Sequence, residues 1–246
     1  MNKILAYGFK NVSYCFRDIA PNIPKDINYK LHEYISGIES DKKKQGKLFF
    51  NAGKIHLFEY GLNKDSLYLN LGKTDYFTFD FLSKNSPELL KNYSHVLSTG
   101  ALLLTNDGKI ILGNKSKLND KGEGEYHLPS GYIELSDLGD DLRAAAVREA
   151  SEEVFDNKDL ISKIQSISPL GLFNKEYDQP MLAYVIQLKI DENEVFSVWE
   201  NSDAKKREFS QLKFVPADKK SICQFLDGNK IRAHARVSLE NFLRTL

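Results

Sequence analysis

Three glutamates, Glu149, Glu152 and Glu153, follow an arginine in the run Arg148-Glu149-Ala150-Ser151-Glu152-Glu153. A helix would bring positions i, i+3 and i+4 onto one face. Like charges at those spacings cost a helix roughly 0.2–0.5 kcal/mol per pair, so a chain with no use for them would place a lysine there more cheaply. Hard divalent cations want oxygen ligands, and Mg²⁺ typically takes a few carboxylates and fills its shell with water and substrate phosphates. The run reads as one half of a metal–phosphate site. The plain alternative is a solvated acidic helix end.

Several elements must position these side chains. A turn, Leu128-Pro129-Ser130-Gly131, precedes the helix, and the small apolar run Ala144-Ala145-Ala146-Val147 gives it a face to bury. The helix is expected from about Asp140, with Asp140 and Asp141 suited to its positive end. Upstream, Val96–Leu104 reads as a strand, Asn106-Asp107-Gly108 as a turn and Lys109–Leu112 as the hairpin partner. Residues 114–126 are polar and glycine-containing, a loop leading to His127. Downstream, Ile164–Phe173 and Met181–Leu188 read as strands joined across Asn174–Pro180, and Gln211–Val215 as another. Pro216-Ala217-Asp218 opens one helix and Ala233–Leu246 forms a last one.

The helix and its approach resemble the Nudix box, G-x5-E-x7-R-E-U-x-E-E-x-G-U, where U is bulky and apolar. Arg148, Glu149, Ala150, Glu152 and Glu153 match its second half. Counting back eight from Arg148 gives Asp140 at the first acid, so eight residues rather than five follow Gly131, an insertion of three in the loop. Phe155 stands where the family has the glycine after the helix and Asp156 where it has an apolar residue; Asn157 could make that turn instead.

The resemblance implies an α/β/α sandwich with a mixed sheet over residues 94–246. It also implies a Mg²⁺-dependent hydrolase, Mn²⁺ being an alternative ion, that splits a nucleoside diphosphate linked to X. Glu149, Glu152 and Glu153 would be metal ligands, with Glu152 and Glu153 also counted among the catalytic groups. Arg148 would hold the cluster in place, and Gly131 would let the backbone approach metal or diphosphate. The general base is open between Glu153 and a later acid; Glu208 is the choice, with Glu200 and Asp203 nearby. His127, beside the turn, is a candidate phosphate contact or a structural histidine. Tyr76, Phe77, Phe79, Tyr126, Phe173 and Tyr177 are candidate platforms for a base. His32, His56, His95 and His234 show no spacing that suggests zinc.

Composition narrows the class. The chain has 246 residues, 41% apolar, with 34 basic and 34 acidic side chains. A balanced charge points to neither nucleic acid nor an anionic membrane surface as a partner. Two lone cysteines, Cys15 and Cys223, give neither a disulfide framework nor a metal spacing. With no apolar stretch near the ~20 residues of a membrane span, and too short an apolar opening for a signal peptide, a cytoplasmic protein is expected.

Residues 1–93 form the remaining part, expected as a smaller α/β N-terminal domain. A helix is expected over Lys25–Ser40, followed by the lysine run 42–44. A hairpin of Gly53–Tyr60 with Ser66–Leu71 and a short aromatic helix over Asp75–Leu82 complete it. Two stretches, Phe50-Asn51-Ala52-Gly53-Lys54 and Leu69-Asn70-Leu71-Gly72-Lys73-Thr74-Asp75-Tyr76, are similar to a pattern preceding the Nudix domain of UDP-glucose/UDP-galactose diphosphatases. That likeness implies a UDP-sugar as substrate, cut to UMP and sugar 1-phosphate. ADP-ribose or another nucleotide derivative, and a non-catalytic nucleotide sensor, are the alternatives. Residues 1–93 would then complete the pocket, or else only pack on the catalytic domain or mediate a homodimer.

Overall fold

The computed structural model describes residues 3–45, 51–115, 124–139, 141–156, 160–174, 179–202 and 209–246. In chain order its elements begin with β1 (Lys3–Ala6), β2 (Asn11–Phe16), α1 (Lys25–Lys44), β3 (Gly53–Asn63), β4 (Ser66–Asp75), α2 (Tyr76–Asn85) and α3 (Leu90–Tyr93). Then come β5 (Ser98–Leu104), β6 (Lys109–Lys115), β7 (Tyr126–His127), β8 (Ser130–Tyr132) and α4 (Arg143–Ala150). The chain closes with β9 (Ile164–Asn174), β10 (Pro180–Leu188), α5 (Glu192–Glu200), β11 (Phe209–Pro216), α6 (Lys219–Gly228) and α7 (Ala233–Phe242).

The large sheet has the order β1-β9-β10-β5-β6-β11, with β7 paired to β6 and β8 to β5. It is mixed: β10 and β5 run parallel, their neighbours antiparallel. Period-two alternation divides β10 between the two faces. Leu182, Tyr184 and Ile186 join a core that includes Ala145, Ala146 and Ala150 of α4. Met181 and Ala183 join a second core with Ile222 and Phe225 of α6 and Leu239 and Phe242 of α7. Helices therefore cover both faces, the α/β/α sandwich expected from the sequence.

A second sheet, β2-β4-β3, is built by residues upstream of 94. Its Leu57, Leu67, Leu69 and Leu71 are fully buried in the same core as α4. Backbone bonds stitch the two sheets together, Leu97 N–H donating to Ile55 O at 2.8 Å and Leu57 N–H to His95 O at 2.9 Å. β1 extends the edge of the large sheet at β9. α1 and α2 enclose a small core of their own around Leu31, Phe81 and Leu82.

Several boundaries move from expectation for local reasons. The β3–β4 hairpin is longer and its turn tighter, with Lys64 in the left-handed region at φ 51°. α1 runs on through Lys42, Lys43 and Lys44, whose charges suit the negative end of a helix. α4 starts at Arg143, whose N–H donates to the Asp141 carboxylate at 2.8 Å; Asp140 lies outside the described residues. β1, β2 and α5 were not expected: β2 is mostly exposed or half-buried, and α5 depends on the Asp191 cap.

The exit from the motif helix differs too. Ser151–Phe155 widens into a π-helical turn, and Asp156 closes it at φ 53°, a conformation Asp adopts more readily than most residues. Asp156 is thus a left-handed residue at this exit; Asn157 lies outside the described residues. Among the described residues no helix is long and apolar enough to cross a membrane.

Candidate active site

The three glutamates do not share one environment. Glu149 and Glu153 are buried, at 8% and 7% exposure, whereas the Glu152 side chain is 44% exposed. The buried pair faces β8. Glu153 Oε2 accepts the Ser130 N–H at 3.2 Å, and Lys115 Nζ stands 3.9 Å from Glu153 Oε1. Gly131 lies so close to Glu149 that a Cβ there would sit 2.2 Å from Oε1. Its bare backbone is what lets the strand cross the carboxylate. Burial raises the Glu149 pKa, an effect the Arg148 charge and hydrogen bond partly offset.

Arg148 organises the cluster. Its Nε and Nη2 donate to Asp137 Oδ1 and Oδ2, both at 2.9 Å, a bidentate pair. Nη1 donates to Glu149 Oε1 at 2.8 Å and lies 3.5 Å from both Glu152 oxygens, and Nη2 also reaches Tyr132 O at 3.0 Å. The Asp137 hydrogen bond above all holds the guanidinium charge in place. Asp137 is fixed in turn, for its carboxylate accepts the Glu134 N–H at 2.9 Å while the Glu134 side chain accepts the Asp137 N–H.

Two cavities flank this region. One, of about 400 Å³, opens over β8 and is lined by Gly131, Tyr132, Lys115, His127, Arg232 and His234, with Tyr76, Phe79, Asp80 and Ser83 of α2 opposite. Its volume is in the range of small-molecule sites. The His127 and His234 rings pack edge to face, 5.3 Å apart, and His234 Nε2 is 3.2 Å from Ser130 Oγ. The other, of about 820 Å³, lies along Ala144, Val147 and Ser151 of the motif helix, with Leu160, Ile161, Ile164 and Ile167 on one side and Asp137, Asp141, Arg143 and Arg148 also lining it. It is larger, but Ser130 and Gly131, the backbone against the buried Glu153 and Glu149, line the smaller one together with Lys115, Arg232 and the two histidines.

Residues 94–234 match the NUDIX domain, over half of the chain. The chain belongs to the Nudix family. Nudix hydrolases act on pyrophosphate bonds of small-molecule nucleotide substrates and generally use a divalent metal such as Mg²⁺. Among solved structures the chain is similar to DR0079 from Deinococcus radiodurans, at 15% identity over 59% of this chain and 81% of that one, TM-score 0.43. It is also similar to a MutT protein from Methanosarcina mazei Go1, at 19% identity over 61% and 94%, TM-score 0.39. At these values the two likenesses carry no argument of their own. No curated protein matches the chain by sequence.

The Nudix box can be counted two ways here. Forward from Gly131, with five residues between, the first acid is Asp137, which is bound to Arg148. On that count the three extra residues follow the first acid; counted back from Arg148 they precede it. Asp140, assigned by counting back from Arg148, lies outside the described residues, as do Glu208, Asp203 and Tyr177. The forward count was available in the sequence. The pairing of His127 with His234, 107 positions on, left no local signal.

The donor set fits a hard cation. Four carboxylates, Asp137, Glu149, Glu152 and Glu153, lie near Arg148 and Lys115; three of the four are buried, Glu149 and Glu153 beside a strand where a side chain at 131 would not fit. All are oxygen donors, the class Mg²⁺ selects. As the side chains stand, no three His, Cys, Asp or Glu residues among those described converge on one point.

Proposed function

We propose that this Nudix hydrolase cleaves a UDP-sugar to UMP and sugar 1-phosphate, with the substrate lying in the 400 Å³ cavity between β8 and α2. The observation that carries the reading is that the cavity joins the two halves of the chain. Gly131 and Tyr132 come from the box, while Tyr76 and Phe79 come from the stretch upstream of the family match. The two segments similar to the UDP-sugar diphosphatase pattern also meet here. Asn51 Nδ2 donates to Asp75 Oδ1 at 2.8 Å, Phe77 N–H donates to Asn51 Oδ1 at 3.1 Å, and Asp75 caps α2 through Thr78 N–H at 2.9 Å. Both segments thus fix the helix that carries the aromatic wall.

Roles follow from the chemistry. Glu149 and Glu153 would hold Mg²⁺ or Mn²⁺, joined by Glu152 on a rotamer change away from Arg148. The bound cation would neutralise diphosphate charge and acidify water. Lys115, Arg232, His127 and His234 present positive or hydrogen-bonding groups to the phosphates. Phe79 meets Tyr132 edge to face at 5.9 Å, making an aromatic platform for the base. Water attacks one phosphorus, the bridging P–O bond breaks, and the water proton passes to Glu208 or Glu153. Each phosphate leaves with one terminal oxygen more than it had in the linkage.

The test is product release from UDP-glucose, UDP-galactose, ADP-ribose, NADH and a diadenosine polyphosphate. UMP and sugar 1-phosphate from the UDP-sugars alone is the expected result. Preference for another member overturns the substrate and keeps the enzyme. Binding of one compound with cleavage of none would favour a sensor.

A further inference from the structure

We infer that Lys54, which precedes the family match, is a positioning residue for the metal-binding carboxylates, acting through Glu134, Asp137 and Arg148. Lys54 lies on β3 and is 7% exposed. A lysine is almost never so buried without a partner. Its Nζ donates to Glu134 Oε1 at 2.6 Å and lies 5.3 Å from the centre of the Tyr132 ring. The backbones of Lys54 and Glu134 also form an antiparallel bridge.

Glu134 begins the short turn Leu135–Asp137 and exchanges side-chain-to-backbone hydrogen bonds with Asp137. Asp137 grips Arg148 with both oxygens, and Arg148 holds Glu149 at 2.8 Å. Every link is a charged or charge-assisted bond, and the two ends, Lys54 and Glu149, are both buried. Truncating Lys54 removes the charge that fixes the Glu134 carboxylate. Glu134 is then free to leave the turn, and Asp137 loses the geometry with which it meets both guanidinium nitrogens. The upstream sheet thereby sets the rotamer of a carboxylate in the downstream half.

The inference rests on the reading of Glu149 as a metal ligand, so its test reads metal binding directly. Mn²⁺ affinity is measured on the full chain without substrate, from the electron paramagnetic resonance signal of free Mn²⁺, together with the thermal midpoint. Lys54→Met and Glu134→Gln should each weaken Mn²⁺ binding about tenfold. Lys54→Arg should recover most of the loss, and the double variant should be no weaker than Lys54→Met, since both changes break one chain. Glu134 is 39% exposed at its side chain, so Glu134→Gln remains informative where Lys54→Met does not fold. Binding within about twofold of wild type in Glu134→Gln and in folded Lys54→Met, whatever the thermal midpoint does, overturns the relay while Glu149→Gln is still defective. A wild type that binds no Mn²⁺, or a Glu149→Gln variant that binds it normally, overturns the metal reading and the relay with it.

Discussion

The two cavities beside α4 differ in the property that matters. The larger, about 820 Å³, sets Leu160, Ile161, Ile164 and Ile167 beside Asp137, Asp141, Arg143 and Arg148; the smaller, about 400 Å³, gathers Lys115, Arg232, His127 and His234 around Ser130 and Gly131, which touch the buried Glu153 and Glu149. In the larger, Arg148 and Asp137 are bound to each other, whereas the smaller brings basic and imidazole groups to the backbone that meets the buried acids. Burying carboxylates costs free energy in the empty fold. That cost makes sense only where binding or chemistry offsets it. The kind and pairing of the charged groups, rather than volume, distinguish the two cavities.

Breaking the charged face should have the largest effect. Glu153→Gln and Glu149→Gln should each lower kcat roughly 10²-fold or more, about 2.7 kcal/mol of barrier, with circular dichroism unchanged. Wild-type turnover in either would remove that residue from the site. Gly131→Ala comes next, because its Cβ would fall 2.2 Å from Glu149 Oε1. It should cost about 1–3 kcal/mol of stability and displace the carboxylate, so that activity and denaturation midpoint fall together. An unperturbed midpoint would show that β8 can move away.

The seam between the two sheets gives a pH test. His56 is 1% exposed, its Nδ1 accepts the His95 N–H at 2.9 Å, and burial first, then the charge of His95, lowers its pKa to about 3 from 6.5. The unfolded chain takes up a proton below pH 6.5 that the fold refuses. Stability is therefore fully present above pH 6.5 and declines as pH falls towards about 3, by at most about 1.4 kcal/mol per pH unit. Urea unfolding at pH 7 and pH 5 checks it, and His56→Gln should flatten the slope. An equal slope in that variant would assign the effect to other groups.

Smaller effects sharpen the contrast. Phe79→Ala should raise KM severalfold with kcat nearly kept, since it removes one wall of the polar cavity. Ile161→Ser, at a residue 76% exposed that lines the larger cavity, should leave turnover unchanged and stability within about 0.5 kcal/mol. A loss of turnover there would move the substrate to the other side of the helix.

Local signals made the downstream half legible. Alternation in Met181–Leu188, the turn at Asn106-Asp107-Gly108 and the small apolar run of α4 each encode a face or a bend within a few residues. The same was true of Arg148 and the glutamates. What was not legible depended on distance. One helical face was expected for all three acids, but the π-helical turn and the approach of β8 separate Glu149 and Glu153 from Glu152. Asp137 was passed over because the box was counted back from its arginine rather than forward from Gly131, and its pairing with Arg148 appears only in the fold. Lys54 stood in a recognisable stretch, but its pairing with Glu134, 80 residues away, left no local signal.

The most direct measurement of the central claim is release of UMP from UDP-glucose during a Mg²⁺ titration, then with excess chelator, then with Mg²⁺ restored, in wild type and Glu153→Gln. The account predicts turnover that rises with Mg²⁺, vanishes with chelator, returns with the ion and is all but absent in the variant. Turnover that ignores the chelator, or a variant as active as wild type, would contradict it.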